Sequence, residues 1–165
     1  MIKPGNEARN LTVRDVMQSE VLAVDGDWPI EKLTGFLVGN NISGAPVTAE
    51  TGELIGVVSL TDIVRHDNMP NTRAASHDPH EYYLYSLEYK IGREEVSKFH
   101  LELESSVRVR DIMTPMIYSV GENTSIQDVA DTMIKGRIHR VFVTSGEKLT
   151  GIVTALDMLQ VVRDL

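Results

Sequence analysis

An internal repeat constrains this chain more than any other feature. The stretch "GVVSLTDIV" at residues 56–64 returns as "GIVTALDML" at 151–159, and "VRDVM" at 13–17 returns as "VRDIM" at 109–113. The offset is 96 residues at the start (109 − 13) and 95 at the end (151 − 56). A long, nearly constant offset predicts two copies of one supersecondary unit, with the single-residue slip in a hairpin turn.

Each copy is expected to begin with a strand and an amphipathic helix. The extended runs are residues 21–24 and 117–120. Apolar side chains then recur at the i, i+3, i+7 spacing of one helix face: Ile30, Leu33, Leu37 and again Ile126, Val129, Met133. Polar residues predict the helix starts: Asp27 with Pro29, and Asn123 with Ser125.

Two β-rich runs follow each helix, at residues 45–48 and 54–59 and at 141–144 and 149–154. Thr-Gly or Ser-Gly between them predicts a tight hairpin, and a last helix closes each copy near residues 60–66 and 155–163. The order β-α-β-β-α predicts a mixed α/β (α+β) fold. Since a unit of about 50 residues buries too little surface to be stable alone, the copies should pack on each other.

The predicted organisation is a first repeat at residues 1–66, an insertion at 67–106 and a second repeat at 107–165. The insertion opens as a polar loop and continues as two helices that break near Gly92. Its apolar faces either cover the chain's own sheet or form a partner surface through Tyr82, Tyr85 and Tyr89. His77 and His80 do not predict a metal site, because Pro79 keeps them off a helix face.

Composition narrows the classes of partner. The 165-residue chain has a net charge of −8, which disfavours nucleic acid but leaves room for one bound phosphate. It has no cysteine, and therefore no disulfide or thiolate nucleophile. Neither a signal peptide nor a membrane span is expected, which predicts a cytoplasmic protein with no membrane partner.

The doubled motif has two interpretations. Ser59 with Asp62, and Thr154 with Asp157, match a helix N-cap hydroxyl followed three residues later by an acid, a capping box. The same strand-to-helix turn could instead hold a phosphate at the helix N-terminus, while the aspartate accepts hydrogen bonds from a ribose. From the residues alone, both interpretations remain open.

The order "VRDVM", helix, "SGAPV", "GVVSLTDIV", with its second version "VRDIMTP", helix, "HRVFV", "GIVTALDML", resembles tandem cystathionine-beta-synthase (CBS) domains, the Bateman module. The resemblance covers nearly the whole chain apart from residues 65–107. It implies a pseudo-two-fold pair of repeats with a helical linker insertion. It also implies a regulatory module that binds adenosine compounds in clefts between the repeats and assembles as a homodimer.

The resemblance implies the ligand-binding residues. The motif hydroxyls would meet phosphate and the aspartates a ribose diol, and the backbone of the small-residue and proline element would line the base. Basic residues before the second copy's strand would reach a phosphate. The predicted set is Gly44, Ala45, Pro46, Ser59, Thr61, Asp62, Thr114, His139, Arg140, Val141, Thr154 and Asp157.

The two sites are not expected to be equivalent. Gly44-Ala45-Pro46 gives the first copy the better base element, whereas Phe142 replaces the proline in the second and either weakens that element or stacks on the ligand. Thr114, where the first copy has Gln18, and the cation Arg140 are expected to favour the second site.

The predicted function is that of a regulatory sensor of an adenine nucleotide (AMP, ADP or ATP), with no cofactor required. The alternative is a structural or dimerisation module without a ligand. An enzyme is not expected, because no clustered nucleophile and base, thiol or P-loop is present; a nucleotide hydrolase is the alternative among enzymes. Many adenosine compounds share ribose and phosphate contacts, so the motif predicts a class of ligand.

Overall fold

A computed structural model describes residues 11–68, 107–115 and 117–164. The predicted order β-α-β-β-α occurs twice within them, which confirms the fold class. The first copy contains β1 (Val24–Asp25), α1 (Ile30–Gly39), β2 (Gly44–Thr48), β3 (Leu54–Ser59) and α2 (Leu60–Asn68). The second contains β4 (Ser119–Gly121), α4 (Ile126–Gly136), β5 (Arg140–Ser145), β6 (Lys148–Thr154) and α5 (Ala155–Arg163). A 3₁₀ helix (Val13–Asp15) precedes the first copy, and α3 (Val109–Ile112) precedes the second.

The two sheets have the same topology. Each has three strands, with a parallel pair joined through a helix and an antiparallel hairpin: β1-β2-β3 and β4-β5-β6. The hairpin turns contain Gly52 at φ 84° and Gly146 at φ 62°. Glycine adopts this left-handed backbone without a steric penalty, which explains the Thr-Gly and Ser-Gly signals in the sequence.

The described residues divide into two compact units that exchange their leading segments. The first unit contains residues 22–68, 107–115 and 117, and the second contains 11–21 and 118–164. Each sheet is therefore completed by the segment that leads the other copy in the sequence. The repeat limits 1–66 and 107–165 stay a prediction about sequence units.

Apolar packing joins each leading segment to its sheet. In the first unit the predicted stripe of α1 is fully buried, as expected for an amphipathic helix, and it packs with Val109 of α3. The backbone N–H of Val109 also donates to the carbonyl of Trp28 at 3.0 Å. In the second unit the buried apolar residues are Val13, Ile126, Val129, Met133, Ile138, Val141, Phe142, Val143 and Val153.

Both long helices begin close to the polar starts predicted from the sequence. Ser125 caps α4 by accepting from the backbone N–H of Asp128 at 3.1 Å, as predicted. At α1 the cap position is Pro29, which has no side-chain cap, and the helix begins at Ile30, close to the predicted start. The carboxylate of Asp27, two residues before this cap position, pairs with Arg110 of α3 at 2.6 Å.

The predicted helices of the insertion, their break at Gly92, the tyrosines 82, 85 and 89, and the histidines 77 and 80 lie outside the described residues. Within the described ranges, the helices are all too short or too polar to span a membrane.

Candidate functional site

In the first unit, β3 runs directly into α2, and Ser59 lies at this junction. Both its backbone N–H and its Oγ donate to Oδ2 of Asp62, at 2.7 and 2.8 Å. The backbone N–H of Asp62 approaches the Ser59 Oγ at 3.4 Å, which completes a reciprocal capping arrangement. The capping interpretation of the sequence is therefore realised, and it uses only one oxygen of the carboxylate.

The second oxygen of Asp62 is the unusual atom of this site. Asp62 is 2% exposed, and its Oδ1 has no hydrogen-bond partner among the described residues. Burial raises the pKa of Asp62 to about 7, against the opposing effects of the Ser59 hydrogen bonds and of Arg65. Because a buried polar atom without a partner costs free energy, Oδ1 is suited to accept from a ligand hydroxyl.

Thr114 brings a second unsatisfied group to the same unit. Its backbone pairs with that of Val57 in β3, with N–H···O distances of 2.8 and 2.9 Å. Its side chain is 7% exposed, and its Oγ1 has no partner within the described part of the chain. The assignment of Thr114 to the second copy's site is therefore wrong, because the segment that carries it pairs with the first copy's sheet.

Gly56 makes this pairing possible. A Cβ on Gly56 would lie 2.8 Å from the Thr114 carbonyl oxygen and 2.7 Å from Sδ of Met113. These separations are shorter than van der Waals contact, so only glycine lets the Thr114 segment approach β3 so closely. The glycine of the repeated motif thus permits a leading segment to lie against β3.

In the second unit, β6 runs directly into α5, and the motif forms the same cap. The backbone N–H and Oγ1 of Thr154 both donate to Oδ2 of Asp157 at 2.7 Å, and the Asp157 N–H reaches Oγ1 at 3.3 Å. Asp157 is 8% exposed. Unlike its counterpart, it has a partner on its second oxygen, because Oδ1 accepts from Nε2 of Gln18 at 3.1 Å.

The second motif glycine, Gly151, allows the segment that carries Gln18 to lie against β6, where Gln18 contacts Asp157. Its backbone pairs with Ile152 in β6, with N–H···O distances of 2.8 and 2.9 Å. A Cβ on Gly151 would lie 2.5 Å from Sδ of Met17 and 3.2 Å from the Gln18 carbonyl oxygen. The repeat pattern identifies Gln18 only as the counterpart of Thr114 and does not predict its contact with Asp157.

The remaining predicted residues of the first unit line the start of its hairpin. Gly44 pairs with Ser59 across the two strands, and Ala45 and Pro46 are buried beside it. Thr61 is half-buried next to Asp62. The structure thus places the small-residue element directly beside the capped helix start.

The second unit offers a cation at the matching position. Arg140 pairs with Thr154 across the strands, and its Nε is buried without a partner among the described residues. Val141 is buried, whereas His139 is exposed. The ring of Phe142 is completely buried in the core and presents no stacking surface to a ligand, contrary to one of the two sequence expectations.

Metal binding has no structural support in this part of the chain. Within the described ranges, no three histidine, aspartate or glutamate side chains are grouped to hold an ion. The features that point to a ligand are instead three buried atoms that have no hydrogen-bond partner among the described residues: Asp62 Oδ1, Thr114 Oγ1 and Arg140 Nε.

Known proteins resemble this chain over most of its length. The uncharacterized protein MJ1426 of Methanocaldococcus jannaschii is 29% identical over 153 residues, which cover 91% of this chain and 90% of that protein. The crystal structure of CBSX2 in complex with AMP matches with a TM-score of 0.62 at 23% identity, covering 93% of this chain and 96% of the other. The CBS domain of a bacterial CNNM/CorC family Mg²⁺ transporter in complex with ATP matches with a TM-score of 0.64 at 18% identity. The match covers 95% of this chain and 90% of the transporter domain.

The likeness to these two structures establishes a common fold. The family model for the CBS domain matches the chain twice, at residues 13–68 and 109–164. These stretches include both copies of the glycine, hydroxyl and aspartate motif and most of each leading segment. The chain therefore belongs to the CBS domain family, with two domains in tandem.

Proposed function

We propose that this protein is a regulatory sensor that binds an adenosine nucleotide (AMP, ADP or ATP). The observation that carries the proposal is the pair of buried, unsatisfied polar atoms in the first unit, Oδ1 of Asp62 and Oγ1 of Thr114. Native structures leave few such atoms without partners, so each one needs a physical explanation. A ligand that donates and accepts hydrogen bonds at this place supplies one.

The chemistry of a nucleoside fits these groups. Oδ2 of Asp62 is already occupied by Ser59, so the vicinal hydroxyls of a ribose would donate to Oδ1. The backbone of β2 at residues 44–46 offers hydrogen-bonding groups to an adenine edge. A phosphate would lie at the N-terminus of α2, where the helix dipole attracts anions.

Relatives support the ligand class. CBSX2 was crystallised with AMP, and the transporter CBS domain with ATP. AMP and ATP both contain adenine, a ribose with its diol, and phosphate. A sensor needs differential affinity, so the ligand would regulate a partner by binding one arrangement of the protein better than another.

Binding is tested by thermal unfolding and calorimetry with AMP, ADP, ATP, NAD and S-adenosylmethionine. Binding to the native state raises the unfolding midpoint, so at least one of these compounds should raise it in a saturable way. Asp62→Asn should weaken the binding at the first site, and 2′,3′-dideoxyadenosine should bind less tightly than adenosine. If all five compounds at millimolar concentration leave the midpoint unchanged, the sensor function is wrong.

A second candidate is a structural or dimerisation module without a ligand. It is favoured by the capping boxes, which form completely without any ligand and therefore explain the two motifs by themselves. Saturable binding that Asp62→Asn weakens would separate the sensor from this alternative, because a capping role alone predicts no affinity for nucleosides.

We also propose that the chain forms a homodimer, as the family resemblance implies. The exposed apolar side chains of α5 support self-association: Leu156 is 71% exposed, Leu159 60% and Val162 63%. Light scattering should give the mass of a dimer for the wild type and a lower mass for Leu159→Lys. Equal monomer masses for both proteins would contradict the dimer.

The absence of catalysis and the cytoplasmic location stay predictions from the sequence. The proposed partner surface at tyrosines 82, 85 and 89 also stays a prediction, since it falls outside the described residues.

A further inference from the structure

Gln18 and Thr114 occupy equivalent positions in the two units. Each follows the repeated "VRD" segment, and each pairs its backbone with the residue after the motif glycine, Ile152 for Gln18 and Val57 for Thr114. The four backbone hydrogen bonds are 2.8 to 2.9 Å long. The two units therefore present different side chains from the same backbone position.

The two side chains leave the motif aspartates in different states. The short hydroxyl of Thr114 makes no hydrogen bond within the described residues, and Oδ1 of Asp62 also lacks a partner there. The longer amide of Gln18 reaches Oδ1 of Asp157 at 3.1 Å. In both units Oδ2 is occupied by the cap, so Oδ1 is the oxygen that remains for a ligand.

We propose that Gln18 lowers the affinity of the second site, because its amide competes with the ligand for Oδ1 of Asp157, the oxygen that would accept from a ribose diol. This inference rests on the proposed function, since it assumes that the motif aspartates accept from a ribose. The site at Asp62 is then open and fills first. The site at Asp157 fills only when the amide of Gln18 moves away.

The Gln18 amide is suited to such competition. Gln18 is exposed, so its amide can rotate into water and exchange the aspartate for solvent. A hydrogen bond from a neutral donor to a carboxylate at a partly exposed position is modest, because water replaces it. Its loss to the ligand therefore reduces affinity at this site by roughly 3- to 30-fold.

The experiment isolates each site and exchanges the two side chains. Calorimetry with adenosine and AMP is carried out on Asp62→Asn, which leaves the second site, and on Asp62→Asn with Gln18→Thr. The second protein should bind roughly 3- to 30-fold more tightly. The reciprocal pair is Asp157→Asn with and without Thr114→Gln, in which the added glutamine should weaken binding at the first site.

A measurement without ligand checks the contact itself. A double-mutant cycle of Gln18→Ala and Asp157→Asn, followed by urea unfolding, should show coupling between the two residues, because they interact directly. Unfolding curves of all variants also show that each protein is folded, so a loss of binding is not a loss of structure.

The possible results separate this inference from the proposed function. Wild-type binding with no gain in affinity from Gln18→Thr, or a weaker second site, overturns the role of Gln18 and leaves the sensor function intact. Absence of coupling in the cycle overturns it as well. A wild-type protein that binds none of the probes overturns the sensor function, and the role of Gln18 with it.

Discussion

The side-chain amide of Gln18 donates a hydrogen bond of 3.1 Å to Oδ1 of Asp157, a residue 139 positions further along the chain. At the equivalent place in the first unit, neither Thr114 Oγ1 nor Asp62 Oδ1 has a partner among the described residues. The two copies of the motif therefore differ in whether the aspartate oxygen that would meet a ligand already has a hydrogen-bond partner. The difference arises from the segments that lead each copy.

The first prediction concerns stability and pH. Burial raises the pKa of Asp62 from 3.8 to about 7, so between these values the folded protein holds a proton that the unfolded chain has released. The contribution of the protonated Asp62 to stability is fully present below the pKa of the unfolded chain. Above that pKa, the free energy of unfolding falls with rising pH by up to about 1.4 kcal/mol per pH unit. This contribution is lost as the pH passes through about 7.

Asp62→Asn removes this titration, since the amide stays neutral. Urea unfolding between pH 4.5 and 8 should show that the wild type loses stability relative to the variant as the pH rises. Parallel profiles of the two proteins would show that Asp62 does not titrate in this window.

The second prediction concerns pH and binding at the first site. Oδ2 of Asp62 accepts two hydrogen bonds from Ser59, so a proton on this carboxyl would reside on Oδ1 and block the ribose. With a pKa of about 7, the ionised fraction falls about tenfold between pH 8 and pH 6. Adenosine should therefore bind Asp157→Asn about tenfold more weakly at pH 6, as measured by calorimetry. Constant affinity would contradict the proposed role of Oδ1.

The third prediction concerns the motif glycines. Gly56→Ala would place a Cβ 2.8 Å from the Thr114 carbonyl oxygen, and Gly151→Ala would place one 3.2 Å from that of Gln18. Each should destabilise its unit by roughly 1 to 3 kcal/mol, because a backbone segment must move. Denaturant unfolding measures the loss.

Gly35→Ala is the matched control for these variants. Gly35 lies within α1, and a Cβ there meets nothing within 4 Å. Alanine should therefore leave stability unchanged or raise it by about 0.5 to 1 kcal/mol through helix propensity. If all three alanine variants behave alike, the close approach is not what requires glycine in the motif.

The fourth prediction concerns Arg140 as a phosphate ligand. In the Asp62→Asn background, Arg140→Gln should weaken AMP binding by roughly 10- to 100-fold, because a charge-assisted hydrogen bond is lost. Adenosine, which has no phosphate, should bind with unchanged affinity. Arg163→Gln is the control, since Arg163 is exposed and already paired with Asp164 at 2.8 Å. An equal effect on AMP and adenosine would mean that Arg140 does not select phosphate.

The sequence determined the elements of the fold. Strand and helix order followed from apolar periodicity, hairpin position from Thr-Gly and Ser-Gly, and the motif hydrogen bonds from residue spacing, because all of these depend on neighbours within one turn or hairpin. The ion pair between Asp27 and Arg110 was not predicted, because its partners are distant along the chain.

Tertiary structure decided which residues share a site. Segments 11–21 and 107–115 each complete the sheet of the other sequence copy, so Thr114 lies in the same unit as Asp62, and Gln18 contacts Asp157. The repeat pattern is the same whether a leading segment pairs with its own sheet or with the other one, so it could not reveal this exchange. The sequence thus determined what each motif contains, whereas the packing of segments distant along the chain decided that Oδ1 of Asp157 has a hydrogen-bond partner while Oδ1 of Asp62 has none among the described residues.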